Sequence, residues 1–364
     1  MPERVADYHA TIDIGLPVHQ PAFMTLLITP AHHAIVLRRR TWLALASGLC
    51  LTAHASPGRV RQLLRISTAA VADDWHARMW TVMQEQLERT NPGQFEVQIN
   101  LNASLFKQGA EPVAMTRGNL EMSTLSAFDT AKMVPEFSIF TAGYVIRDPV
   151  HLMNVFNGPI GAELFQRVSE TMGITVLAPL YYGTRQLNLR EPRNIQTPAD
   201  LKGIKLRMPA SREWLFLGES LGATPTPLAF GEVYLGLRTG TIDAQDNPLP
   251  TIKSAKFYEV TRQITLTAHL VDVLFIVVSN KLWLNLSTDQ QTQLRHAAQA
   301  AAKYNNEHRI ADEKQLVDYF RGQGLRVTTP DIAAFRKAVQ TRYLQSDYAR
   351  VWPKGLLERI NATQ

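Results

Sequence analysis

The sequence predicts an α/β protein of two lobes, and three observations carry that expectation. The chain opens as strand, helix, strand. A second group of short strands and helices follows from residue 197. Its 364 residues exceed what one compact domain usually holds. Arg61 to Ser67 reads as the first strand. Asp74 to Arg89 is a helix, with Trp75, Met79, Met83 and Leu87 at every fourth position to form one buried stripe. Asn91-Pro92-Gly93 stops it, and Phe95 to Leu101 alternates apolar and polar residues as a half-buried strand does. Such a βαβ opening predicts a parallel pair with a right-handed crossover.

In the second group, Thr197 to Gly203 is a small helix. Thr197 caps it, Pro198 opens it, Asp200 completes a capping box and Gly203 ends it. Ile204 to Met208 is a short strand stopped by Pro209. Ser211 to Leu221 is a helix ended by Gly222. Thr224 to Leu228 is a strand whose two prolines place it at an edge or a kink. Val233 to Leu237 is helical, and the nearly all-apolar Val271 to Ser279 suits the centre of a covered sheet. Ser287 opens a long helix, with Gln290 closing its capping box and Gly322 and Gly324 stopping it. About 35 residues at ~1.5 Å each would span roughly 50 Å, a strut along both lobes. A break near Asn305-Asn306 would instead make two helices. No low-complexity linker separates the lobes, so several chain crossings would form a multi-strand hinge.

Hydrophobic residues make up 45% of the chain and charged residues 19%, an ordinary globular balance. The net charge is +6, and the charges are interspersed, which argues against nucleic acid as a partner. The one cysteine, Cys50, lies in the leader, so the body has no disulfide frame, thiolate nucleophile or cysteine metal site. Arg38-Arg39-Arg40, the apolar run Trp42 to Thr52, and Ala53-His54-Ala55 follow the basic, apolar, small order of a secretory signal. Cleavage after Ala55 would leave Ser56 first. The run is too short to span a bilayer. Arg39-Arg40-Thr41-Trp42-Leu43 also resembles a twin-arginine signal, so the Sec and twin-arginine routes both stay open. Residues 1–23 fit no targeting pattern, and a start at Met24 gives a more ordinary leader.

The chain carries no G-x-S-x-G, P-loop, H-E-x-x-H or G-x-G-x-x-G motif. The histidines beyond the leader (His76, His151, His269, His296, His308) never pair at three or four residues' spacing. The expectation is a protein without metal, cofactor or catalysis.

The informative stretch contains Gly183-Thr184-Arg185, then Leu201-Lys202-Gly203-Ile204-Lys205-Leu206-Arg207-Met208-Pro209. It continues with Phe230-Gly231-Glu232-Val233-Tyr234, then Asp243-Ala244-Gln245-Asp246-Asn247-Pro248. Lys256-Phe257-Tyr258-Glu259-Val260 and Leu266-Thr267-Ala268-His269 close it. This succession resembles the DctP family, the solute-binding proteins of TRAP-type (tripartite ATP-independent periplasmic) transporters. The resemblance runs from about Arg61 to the C-terminus. Ala244 stands where Gly is common and Asp246 where Glu is common.

The resemblance implies a periplasmic-binding-protein-like fold: two α/β lobes, a cleft, a multi-strand hinge and a long C-terminal strut helix. Residues 1–55 would be a signal peptide plus an upstream extension. Lobe I would comprise residues 56–182 and 271–310, and lobe II residues 183–270 and 311–364. It also implies that Arg207, rigidly based at a strand end, clamps a carboxylate with two parallel hydrogen bonds. Arg185 corresponds to a second, more solvated ligand-facing arginine and Asn247 to an amide contact. Phe230 would wall the pocket. Trp75, Ser126 and Tyr182 would complete it from the cleft. The function implied is periplasmic capture of a small organic carboxylate and its delivery to TRAP membrane permease subunits. The alternatives are an exported carboxylate-processing α/β enzyme and a sensor-type binding protein.

Overall fold

The computed structural model describes residues 61–364, so the leader expectations lie outside the described residues. The strands form one nine-stranded sheet in the order β2-β1-β3-β8-β4-β7-β5-β6, with β9 also on β8. They are β1 (Gln62–Ser67), β2 (Phe95–Asn100), β3 (Met122–Ser126), β4 (Ile174–Leu189), β5 (Lys205–Met208), β6 (Thr224–Pro227), β7 (Ala244–Pro248), β8 (Gln263–Ser279) and β9 (Arg326–Thr328). The expected parallel βαβ opening is present, β1 lying against β2 from Gln62↔Phe95 to Ser67↔Asn100. The proline-bearing β6 is the edge, as expected.

Two strands tie the sheet together. β4 and β8 run antiparallel from Ile174↔Ser279 to Leu189↔Gln263. β3 joins the C-terminal half of β8, while β7 joins the C-terminal half of β4. One side of the sheet thus carries β1–β3 and the other β5–β7, and both long strands serve both sides. β8 begins eight residues earlier than its all-apolar run, because Gln263, Thr265, Thr267 and His269 are buried polar residues of the same strand.

The strut is a single helix, Thr288–Gly322, capped by Ser287 and Gln290. The asparagines that invited a break instead serve β4. The register of β4 slips between Tyr181 and Gly183, which frees backbone groups from the ladder. Asn305 Nδ2 donates to the Tyr181 carbonyl at 2.8 Å, and Asn306 Oδ1 accepts from the Tyr181 N–H at 2.8 Å. Glu313 Oε1 accepts from the Thr184 N–H at 2.8 Å. Buried backbone groups need partners, and the strut supplies them. Upstream, Ala297, Ala298 and Ala301 let the helix Trp75–Thr90 pack closely through Trp80 and Met83. Downstream, Leu316 and Phe320 join the cluster around Val233, Ile252 and Phe257. The last helix, Leu356–Ala362, returns to the helices near residue 151, where the Ile360 carbonyl lies 2.8 Å from His151 Nε2. Among the described residues no helix is long and apolar enough to cross a membrane.

Candidate functional site

A cavity of about 160 Å³ lies where the two sides of the sheet face each other. Arg207, Arg185, Asn247, Phe230, Ser126 and Tyr182 all line it. Trp75 does not. Its indole Nε1 donates to Asp312 at 2.6 Å and its ring lies against His308, 4.4 Å between centroids. The neighbouring His76 takes the cavity position instead. Successive helical residues diverge by about 100°, so a one-residue error moves a side chain to another face.

A larger groove of about 750 Å³ lies between β4 and the strut, but its charges are spent. Lys303 pairs with Glu307, and Arg295 donates to the Val176 carbonyl at 3.3 Å. The smaller cavity holds the chemistry.

Arg207 sits near the end of β5, between Thr226 of β6 and Gln245 of β7, and is 1% exposed. Its Nε donates to the Leu228 carbonyl at 2.8 Å and Nη2 to Gln108 Oε1 at 3.1 Å. Nη1 has no acceptor among the described residues, and no carboxylate there pairs with the guanidinium. Burial is the main cause that brings its pKa down to about 10, with the like charge of Arg185 adding to it and Asp246 opposing it. It remains a cation at neutral pH.

Arg185 is placed differently from the solvated contact expected of it, being 3% exposed. Its Nε donates to Asp246 Oδ2 at 2.7 Å, Nη1 to Asp272 Oδ2 at 2.9 Å, and Nη2 to the Asp246 carbonyl at 2.7 Å. Burial opposes its charge, but Asp246 and Asp272 outweigh it and raise its pKa. Burial likewise opposes ionisation of Asp246, yet Arg185 and His269 hold its carboxyl well below the usual range. Asp272 is pushed up to about 6 by burial, against the pull of Arg185. Asn247 is held between them, its Oδ1 3.3 Å from Arg185 Nη2 and its Nδ2 2.6 Å from Gln245 Oε1.

Several cavity residues carried no sequence motif. Trp214 stacks on Phe128 at 3.5 Å and 5°, and the Arg185 guanidinium carbon lies 4.5 Å from the Trp214 ring centroid. His76 Nε2 lies 3.0 Å from Thr124 Oγ1, and burial lowers its pKa to about 4. Glu111 accepts from the Gly109 N–H at 2.8 Å and is pushed up to about 7, chiefly by burial. Ser126 caps its helix through Asp129, and Asp129 pairs with Lys132 at 2.7 Å. Tyr182 Oη accepts from Thr251 Oγ1 at 3.2 Å. Among the described residues no cluster of His, Cys, Asp and Glu is arranged to hold a metal ion.

Comparison with known proteins agrees with this architecture. A TRAP periplasmic solute-binding protein from Roseobacter denitrificans, solved with 3-deoxy-D-manno-oct-2-ulosonic acid bound, is 43% identical, with a TM-score of 0.80 over 84% of this chain and 100% of that one. The sialic acid-binding periplasmic protein SiaP of Vibrio cholerae is 31% identical over 266 residues, 73% of this chain and 82% of its own. The 2,3-diketo-L-gulonate-binding periplasmic protein YiaO of Escherichia coli is 28% identical over 90% of this chain and 99% of its own. The description "bacterial extracellular solute-binding protein, family 7" matches residues 67–349. With its two-sided sheet, its shared long strands and its cavity between them, the chain belongs to this DctP family of TRAP-type solute-binding proteins.

Proposed function

We propose that this protein captures a polyhydroxylated monocarboxylate, a sugar acid of the 2-ulosonic type, by clamping its carboxylate on Arg207. The observation that carries the reading is charge compensation. Three arginines are buried among the described residues: Arg185, Arg207 and Arg309. Arg185 holds two aspartates and Arg309 holds Asp74 at 2.6 Å. Arg207 alone has no carboxylate, and a buried guanidinium is best satisfied by one. The other cavity cation, Lys132, is paired with Asp129. One uncompensated charge favours one carboxylate over two. Thr124, Ser126, Glu111 and His76 offer groups for hydroxyls, and Trp214 gives a flat wall. The relatives' ligands, 3-deoxy-D-manno-oct-2-ulosonic acid and sialic acid among them, have this chemistry.

In this reading lobe I is residues 56–182 and 271–310 and lobe II is residues 183–270, with β4 and β8 as hinge; of residues 311–364, which the sequence put in lobe II, the last helix packs on lobe I at His151. The mature chain starts near Ser56 after export by the Sec or twin-arginine route, works in the periplasm without bond chemistry, and hands its ligand to TRAP permease subunits. Calorimetry with 3-deoxy-D-manno-oct-2-ulosonic acid, D-galactonate and succinate tests the site. The ulosonic acid should bind best. Arg207→Ala should cost roughly 3–5 kcal/mol, about a hundred- to several-thousand-fold in affinity. Arg207→Lys should recover part, since an ammonium lacks the planar two-bond fork. Binding by Arg207→Ala within about threefold of wild type would remove the clamp and the site with it.

A further inference from the structure

Gln108 stands 99 residues before Arg207, on the loop between β2 and the helix Glu111–Arg117. Its side-chain oxygen reaches across the cavity and accepts two hydrogen bonds. One comes from Arg207 Nη2 at 3.1 Å, the other from the Phe230 backbone N–H at 3.1 Å. Both partners are donors only, so the amide must present its oxygen to them; its orientation follows from the chemistry. The two donors belong to the β5–β7 side of the sheet, and the loop belongs to the β1–β3 side. The oxygen therefore bridges the cavity at the guanidinium read here as the carboxylate clamp.

The loop is built to hold that oxygen in place. The Asn102 N–H donates to the Ala70 carbonyl at 3.0 Å and the Ala103 N–H to the Thr68 carbonyl at 2.9 Å, which anchors the loop beside the end of β1. Asn102 and Ala103 take left-handed backbone angles, φ 56° and 55°, a conformation costly for Ala that persists only where contacts impose it. On the far side of Gln108, the Gly109 N–H is taken by the Glu111 carboxylate at 2.8 Å.

We infer that Gln108 is a positioning residue that fastens the closed cleft onto the occupied clamp. A neutral oxygen suits this role. It takes one N–H of Arg207 and leaves Nη1 for the ligand, whereas a carboxylate there would neutralise the guanidinium and compete with the ligand. The Phe230 N–H makes the fastener sensitive to closure, because that bond exists only when the two sides meet. Its consequence is a slow off-rate, since release requires both bonds to break before the cleft opens. The inference rests on the reading of Arg207 as carboxylate clamp, and its test separates the two.

The experiment is stopped-flow binding of 3-deoxy-D-manno-oct-2-ulosonic acid, paired with amide hydrogen exchange at Phe230 in protein saturated with that acid. Gln108→Ala should raise the off-rate about tenfold, leave the on-rate within about twofold, and speed exchange at Phe230. Gln108→Glu should keep Phe230 protected while weakening affinity at least about tenfold, because it supplies its own carboxylate to Arg207. Arg207→Ala should lose binding in the same assay. If Gln108→Ala leaves both the off-rate and Phe230 exchange within twofold of wild type, the fastener is wrong while the clamp stands. If Phe230 exchange responds to Gln108→Ala but Arg207→Ala binds normally, the closing contact stands and the clamp fails.

Discussion

At the scale of single residues, the two ligand-facing arginines expected from the sequence divide by what surrounds them. Arg207 is buried without a carboxylate and is free to take one. Arg185 is buried among Asp246, Asp272 and Asn247, so most of its donors are committed to the protein itself. Arg185→Ala should therefore act first on stability. It would leave Asp246 with His269 alone and Asp272 with no cationic partner, and breaking buried pairs of this kind costs about 3–5 kcal/mol. Urea denaturation of ligand-free protein should show that loss, with partial recovery on adding Asp272→Asn. A variant of wild-type stability that has lost ligand binding would return Arg185 to direct recognition. The sequence could not separate the two roles, because both arginines stand in family motifs while the aspartates that neutralise Arg185 lie 61 and 87 residues away.

At the scale of elements, legibility followed regularity. The helices with caps at both ends and the strands with clean alternation stand where their patterns put them. β4 was not legible. Its register slips at Val176/Ala178, Tyr181/Gly183 and Arg185/Leu187, and each slip resets the two-residue period that marks a strand. Gly183 shows what the middle slip requires. Its φ is +132°, and an added Cβ would collide with the Pro248 ring and lie 2.8 Å from Glu313 Oε1. Gly183→Ala should destabilise by at least about 2 kcal/mol through backbone strain and that collision. The denaturation midpoint reads this directly, and an unchanged midpoint would mean the slip is not held by the glycine. The asparagines in the strut belong to the same device. They read as a possible break because Asn is a poor helix former, yet they are there for β4.

At the scale of the whole molecule, two long strands shared by both sides of one sheet make a hinge, and the cavity lies beside it. The strut, the bulge of β4 and the buried Asp74–Arg309 pair lie beside these strands. Asp74 accepts from Arg309 Nη2 at 2.6 Å and from Ser254 Oγ at 2.9 Å, so the start of one helix is joined to the strut and to the helix Leu249–Ser254. A ligand shifts a two-state hinge only by binding one state better than the other. In the proposed reading the differential contact is a carboxylate on Arg207 together with hydroxyls held from the β1–β3 side, both provided only by a closed cleft. Small-angle scattering on protein stripped of ligand should then show a smaller radius of gyration when 3-deoxy-D-manno-oct-2-ulosonic acid is added. Each side should keep its internal structure while the angle between them falls. Arg207→Ala should keep the unliganded radius at any ligand concentration, because it removes the contact that makes closure favourable. A wild-type radius that stays constant at a concentration where calorimetry shows saturation would mean that binding and closure are uncoupled, and the cavity would then be a rigid site.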